Sequence, residues 1–303
     1  MSRIGAGLSA RSLVCAGLAM AVTCGTVAAR GGNDLSTRTT GGAFQYEVVS
    51  GDSVTSLGSR YGIDPREIAA ANGLKPGQAI APGRTLQLDN RHIVPMFEDD
   101  VALAINVPQR MLFLIGGDPI VGYPVALGRR DWPTPLGDFT VIAKEENPTW
   151  DVPASIQAEM RREGRAVVQR VPPGPGNPLG AFWLGLSLGS VGIHGTNAAL
   201  SIFRHTTHGC VRVHPEDIAS LYPRVAVGTR GQIAYEPVLL ARTADGIFLE
   251  AHPDVYRRVK GDPLWSVREM AAAAGISGEI DWPEVGRVLH ARSGIARAVG
   301  RSR

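Results

Sequence analysis

Cysteine is nearly absent: three residues in 303, Cys15, Cys24 and Cys210. The first two lie in a leader-like segment, where Arg3 and Arg11 give a positive start, Leu13 to Val22 a short apolar stretch, and Val27-Ala28-Ala29 the small residues read by a signal peptidase. Residues 1–29 are therefore expected to be a cleaved signal peptide, leaving Cys210 as the sole thiol of an exported chain. A lone thiol excludes an internal disulfide and turns attention to reactivity. Two other readings of the leader are weaker. A lipid anchor on Cys24 has Thr23 where Gly, Ala or Ser is usual, and an uncleaved anchor has a run shorter than the ~20 residues that span a bilayer. No later segment is apolar enough to cross a membrane, so no transmembrane span is expected after signal removal.

Charge of one sign is scarce in surplus as well. A net charge of +3 with 44% hydrophobic residues describes a globular chain without a tail that condenses on nucleic acid. The arginines of 161–170 and 301–303 read as solvated faces. There is no internal repeat, no low-complexity tract, and no C-x-x-C or H-x-x-x-H pair of the kind that announces a metal site.

What is present divides into segments. Residues 30–43 are polar and rich in Gly and Thr, and read as a flexible linker. In 44–90 a short strand at Tyr46 and Val48 runs into a Gly51-Asp52 turn. Val54, Leu57 and Tyr61 follow at helical spacing, Asp64-Pro65 opens a second helix that Asn72-Gly73 stops, and Thr85 to Leu88 closes the module as a strand. From 99 to 236 alternation gives strands at Ala102–Val107, Met111–Leu114, Ile120–Val125 and Phe139–Ile142, with helices at Ala154–Glu163 and from Pro215 through Leu221. Residues 237–303 add a hairpin around Ala244-Asp245-Gly246 and helices at Trp265–Ala274 and Trp282–Ala291, with no legible function.

A thiol of ordinary pKa, about 8.5, is only a few per cent ionised near neutrality, so a catalytic cysteine needs a base beside it. Two histidines qualify. His208 would share a face with Cys210 if both lay on one strand, although Gly209 between them makes a bend an equal alternative. His194 sits at a strand end flanked by Gly192 and Gly195. A zinc site built from His194, His205, His208 and Cys210 is the rival reading, although a metal would occupy the thiolate. His205 and His214 otherwise read as surface or loop-packing residues, and Trp150 and Trp183 as core or cleft wall.

His194-Gly195-Thr196 followed by Thr207-His208-Gly209-Cys210-Val211-Arg212-Val213 resembles the signature of the L,D-transpeptidase catalytic domain, the YkuD or ErfK type. Thr134-Pro135-Leu136-Gly137, Asn147-Pro148-Thr149-Trp150 and Asn177-Pro178-Leu179-Gly180 are similar to its recurring elements. Upstream, Tyr46 to Val54, Tyr61-Gly62-Ile63, Ala71-Asn72-Gly73-Leu74 and Ala81 to Leu86 resemble a LysM module.

The resemblance implies a mainly β catalytic domain, sandwich-like, with small helices, behind an α+β module of order βααβ. It implies Cys210 as nucleophile, His194 as base oriented by the Gly195 carbonyl, and the amides of His208, Gly209 and Cys210 facing an oxyanion. Arg212 and Thr207 would serve the substrate or the loop. Phe203, where the family often has Gly, and Thr207, where Ser is commoner, would alter loop shape and substrate fit. The implied activity is transfer of a tetrapeptide stem, with release of D-alanine, to an amine of a neighbouring stem or of a wall-attached lipoprotein. It needs no metal or organic cofactor. The implied partner is peptidoglycan, through its glycan at LysM and its stems at the thiol, in the periplasm or cell envelope. Water as acceptor (an L,D-carboxypeptidase or endopeptidase) and a non-catalytic wall-binding protein are the alternatives.

Overall fold

The structure, a computed structural model, describes residues 35–301 apart from 76 and 118. The signal-peptide reading, with Cys15 and Cys24, falls outside the described residues, as do the start of the 30–43 segment and Asp118 of an expected turn.

The described part of 30–43 is not a free linker. Ser36 bridges Ala241 and donates its hydroxyl to Val94 O at 2.6 Å, and β1 (Thr39–Thr40) pairs with the later strand β4 (His92–Ile93). Backbone pairing of this kind needs no apolar period, so a Gly- and Thr-rich stretch conceals it. β2 (Ala43–Glu47), α1 (Val54–Tyr61), α2 (Pro65–Ala71) and β3 (Thr85–Asp89) then give the expected βααβ order. Their ends follow from local chemistry. Ser53 and Ser56 form a capping box on α1, Gly62 ends it in the left-handed region at φ 71°, and Asp64 caps α2 ahead of Pro65. Leu57, Ile63, Ile68, Leu86 and Leu88 form the module's core, joined by Ile295 from the far end of the chain.

The central domain runs β5 (Leu103–Asn106), β6 (Met111–Leu114), β7 (Val121–Gly128) and β8 (Gly137–Glu146). An excursion of β9 (Trp150–Asp151), α3 (Ala154–Arg162) and β10 (Arg170–Val171) follows. Then come β11 (Phe182–Leu186), β12 (Gly192–His194), β13 (His205–Thr207), β14 (Val211–Val213), α4 (Pro215–Leu221) and β15 (Arg230–Ala234). The nine-stranded sheet has the order β13-β7-β14-β12-β11-β8-β15-β5-β6, and β6 also pairs with β7. β7 therefore belongs to both ends: Val121–Pro124 pair with β6, and Val125–Ala126 with β14. The sheet folds back on itself around Leu103, Ile105, Leu112, Val125, Leu127, Leu184, Ile193 and Val211, all fully buried. This is the mainly β domain with small helices expected above.

The last segment is a three-stranded sheet, β16 (Val238–Thr243), β17 (Gly246–Ala251) and β18 (Arg297–Gly300), covered by α5 (Pro263–Ala273) and α6 (Trp282–Ala291). The hairpin and both helices were legible; β18 was not.

These three parts meet at one buried carboxylate. Glu250 of β17, fully buried, accepts from Ile93 N (2.6 Å), His92 Nδ1 (2.8 Å), His252 Nε2 (2.8 Å) and Gln109 Nε2 (3.0 Å), while His92 Nε2 reaches Gly62 O at 3.2 Å. Burial alone would raise its pKa; the two histidines and their hydrogen bonds outweigh that and pull it down to about 2. One side chain thus ties the LysM-like module, the central sheet and the C-terminal segment together. Removing it strands four buried donors, so Glu250→Ala is expected to cost about 3–5 kcal/mol, roughly 10 °C in Tm for a chain of this size. A Tm within about 2 °C of wild type by calorimetry would show that the junction does not carry the fold.

Candidate active site

β12 and β14 lie side by side and parallel, with Ile193 opposite Val211 and His194 opposite Arg212. Side chains alternate along each strand, so Gly192 and His194 on β12 share a face with Arg212, and with Cys210 just before it. The thiol and the imidazole are brought to one face of the sheet by backbone pairing alone. Cys210 is half-buried, and its Sγ reaches Ser190 O at 4.0 Å.

The buried His194 is fixed on both sides. Its Nδ1 donates to Gly195 O at 2.6 Å, which leaves Nε2 with the free lone pair of the neutral ring. Trp183, opposite it on β11, stacks on the imidazole with centroids 5.8 Å apart and planes 25° apart. Gly192 has to be glycine here, because a Cβ would sit 2.3 Å from the Trp183 ring. Gly180, at φ 67°, likewise lets the 177–180 turn close onto Gly195 and Thr196, where a Cβ would meet Thr196 N at 2.6 Å. Burial, reinforced by the Arg212 cation, lowers the His194 pKa to about 4 against the opposing carbonyls of Gly195 and Leu179. Burial pushes the Cys210 thiol up, against the Gly192 backbone hydrogen bond and Arg212. Both shifts favour the neutral thiol and the neutral imidazole on the shared face.

Between β13 and β14 the chain bends at His208-Gly209, with Gly209 at φ 104°. His208 turns away from the thiol: its Nε2 meets Glu159 Oε2 at 2.5 Å and Arg129 Nη1 at 3.3 Å, and its ring takes the edge of Trp132. Of the two candidate bases only His194 shares the face of Cys210. Thr207 Oγ1 donates to Cys210 O at 2.6 Å and receives Gly209 N at 3.3 Å. The Gly209 amide, one of three expected to face an oxyanion, is thus turned toward the threonine. Arg212 is held by Ser201 Oγ at 2.8 Å, with its Nε buried and unpartnered. His205, on strand β13, packs edge-on against Tyr256, and His214 caps α4. Among the described residues no three His, Cys, Asp or Glu side chains converge as a metal site would require.

A sequence profile of the L,D-transpeptidase catalytic domain (YkuD) matches residues 100–238, and a LysM domain profile matches 46–89. The probable L,D-transpeptidase ErfK/SrfK of Salmonella typhimurium is 30% identical over 256 residues, covering 79% of this chain and 80% of its own. The chain belongs to the L,D-transpeptidase family. The probable L,D-transpeptidase YbiS of Escherichia coli K12 is 34% identical over 175 residues; the match spans 56% of each chain, about half the relative's length. Among solved structures, L,D-transpeptidase 3 from Mycobacterium tuberculosis aligns with a TM-score of 0.34 at 15% identity, covering 66% of this chain and 95% of that one.

Two features of the site were invisible in the motif. Phe203 stands in the left-handed region at φ 62°, a conformation that favours glycine; the strain is held by burial and by Arg110, whose guanidinium lies 3.9 Å above the ring. The ion cluster of Glu159, Arg129 and His208 was missed because α3 read only as an amphipathic helix. Glu159 is buried beside Met160 near the end of α3, and the cluster lowers that carboxyl's pKa through His208 first and Arg129 second.

The buried histidines make stability depend on pH. Burial holds both His194 and His205 at about 4 in the fold against an ordinary 6.5. Between these values the unfolded chain binds protons that the folded chain does not, so stability falls on acidification. Glu236 works the other way, its carboxyl raised by burial to about 7, and gives stability that is lost as pH rises through that value. His252 and His214 are lowered by burial in the same sense and Asp217 is raised like Glu236, so four imidazoles against two carboxyls leave the net loss on the acid side. Urea midpoints are expected to be lower at about pH 5 than at about pH 7.5; equal or higher midpoints at pH 5 would contradict the buried-neutral assignment.

Proposed function

We propose that the chain is an exported peptidoglycan L,D-transpeptidase in which Cys210 is the nucleophile and His194 the general base. The observation that carries this reading is the shared face of Cys210 and His194 on paired strands, with the imidazole's Nδ1 committed to Gly195 O. In the first half-reaction the thiol proton passes to His194 Nε2 as Sγ attacks the carbonyl that precedes the terminal D-alanine of a tetrapeptide stem. The tetrahedral oxyanion collapses, the C–N bond breaks, and the imidazolium returns its proton to the departing amine of D-alanine. The resulting thioester is then attacked by an acceptor amine, which gives its proton to His194 as the thiolate leaves and is reprotonated. The acceptor is an amine of a neighbouring stem or of a wall-attached lipoprotein.

Because the pair starts neutral, proton transfer accompanies attack instead of preceding it, which makes the base more important than in a preformed ion pair. Arg212, cationic and only partly satisfied by Ser201, supports recognition of a substrate carboxylate at the same face. Thr207 holds the carbonyl of Cys210 and shapes the loop. The LysM module supplies glycan affinity beside the chemistry in this reading, and its contacts with the catalytic domain, Ser59 Oγ to Leu200 O and Arg60 to Asp217, support treating the two as one unit.

Cys210→Ala is expected to abolish D-alanine release from a disaccharide-tetrapeptide while leaving the Tm near wild type, since it removes one sulfur from a half-buried site. His194→Ala is expected to lose about 10²- to 10⁴-fold in rate, the usual worth of a positioned base. His208→Ala keeps the base and is expected to lose much less than His194→Ala. D-alanine release by the Cys210→Ala protein, followed by chromatography, would sink the nucleophile assignment.

A further inference from the structure

The catalytic profile ends at residue 238, yet the C-terminal segment reaches back to the nucleophile loop through one side chain. Tyr256 lies beyond β17, and its hydroxyl sits at the neck of the loop that leaves β7. Oη donates to Gly128 O at 2.6 Å and accepts from Thr134 N at 3.1 Å, spanning the loop's two ends. The loop is also closed on itself, Gly128 N meeting Thr134 Oγ1 at 2.9 Å and Trp132 N meeting Arg129 O at 3.0 Å. Gly128 tolerates this only as glycine, since a Cβ would lie 2.2 Å from Trp132 O.

Arg129, Trp132 and Pro133 of this loop meet the segment that presents Cys210. Arg129 N donates to Thr207 O at 3.0 Å, and Arg129 and Trp132 hold the His208 ring. Pro133 O lies 3.5 Å from the position a Cβ on Gly209 would take. Tyr256 also meets the segment from its other side, through the edge-on contact with His205 of β13. The tyrosine is itself clamped: Tyr235 stacks on it at 5.4 Å, accepts its backbone N–H at 2.8 Å, and donates to Asp254 Oδ1 at 2.5 Å. Asp254 accepts from Arg258 N and Val259 N, each at 3.0 Å, and so fixes the turn in which Tyr256 stands.

We infer that Tyr256 is a positioning residue for acyl transfer, through which the C-terminal segment fixes the 128–134 loop and, by it, the His208-Gly209-Cys210 bend. The inference rests on the reading of Cys210 as nucleophile. It assigns a role to a segment outside the matched catalytic domain, and it separates two properties of the thiol. Reaction with an acyl donor needs the backbone around Cys210 placed to receive a developing oxyanion; alkylation by a small neutral reagent needs only the thiol and its base.

The test uses the full chain and Tyr256→Phe, which keeps the ring and removes the hydroxyl. Acylation of Cys210 by a carbapenem, whose strained amide is a soluble acyl donor, is followed by intact-mass spectrometry over a concentration series. Alkylation by iodoacetamide is measured alongside. The maximal acylation rate is expected to fall about ten- to a hundredfold, as a misplacement of an ångström at a reacting centre costs. The half-saturating concentration and the alkylation rate are expected to stay within about twofold.

Acylation at the wild-type rate by folded Tyr256→Phe overturns the inference and leaves Cys210's role intact. An equal fall in both reactions also overturns it, since the tyrosine would then support the domain in general. A wild-type protein that carbapenem does not acylate overturns the nucleophile reading and this inference with it. If Tyr256→Phe does not fold, the same rates are read on Asp254→Asn, which weakens the clamp from its far end. Selective loss of acylation there supports the inference, and unchanged acylation overturns it.

Discussion

The parallel pairing of β12 with β14 is the constraint on which the site depends. Neither strand exceeds three residues, and neither could hold a side chain in place alone; their register, His194 opposite Arg212, does so because both are buried between β11 and β7 in a sheet that closes on itself. Period-two alternation then puts an imidazole, a guanidinium and a thiol on one face. Gly180 and Gly192 admit the close approach of the Gly195-Thr196 backbone and of the Trp183 ring, and Gly180 and Gly209 supply the positive φ that the neighbouring turns need.

Desolvation decides the chemical state of that face. A buried imidazole with a neighbouring cation loses its affinity for a proton, and a thiol shielded from water holds its own more tightly. Both effects disfavour a resting ion pair at this face. Two polar clusters lie elsewhere in the fold: Glu159 with Arg129 and His208, and the Glu250 junction. Both clusters position backbone elements.

The elements with local signals were legible from sequence. Ser53, Asp64 and Gly62 mark helix ends by capping chemistry, and Pro215 opens α4 where expected. The face shared by His194 and Cys210 was legible only as a motif, because the parallel register that creates it is a long-range property. The ordered run at 35–43 was hidden since its strand pairs through backbone groups, and Glu250 was hidden since a lone glutamate in the apolar strand Gly246–Ala251 carries no local hint of four donors. Tyr256 was invisible for the same reason: the carbonyl it meets lies on Gly128, far away in the chain.

The account stands on a covalent intermediate at one sulfur. Intact-mass spectrometry of the full chain mixed with a disaccharide-tetrapeptide, quenched in acid within the first turnover, measures it directly. A mass gain equal to the donor less D-alanine, mapped by peptide fragmentation to Cys210 and discharged on adding an amine acceptor, is the predicted result. Turnover with no adduct on Cys210 at any quench time, or an adduct on another residue, would contradict it.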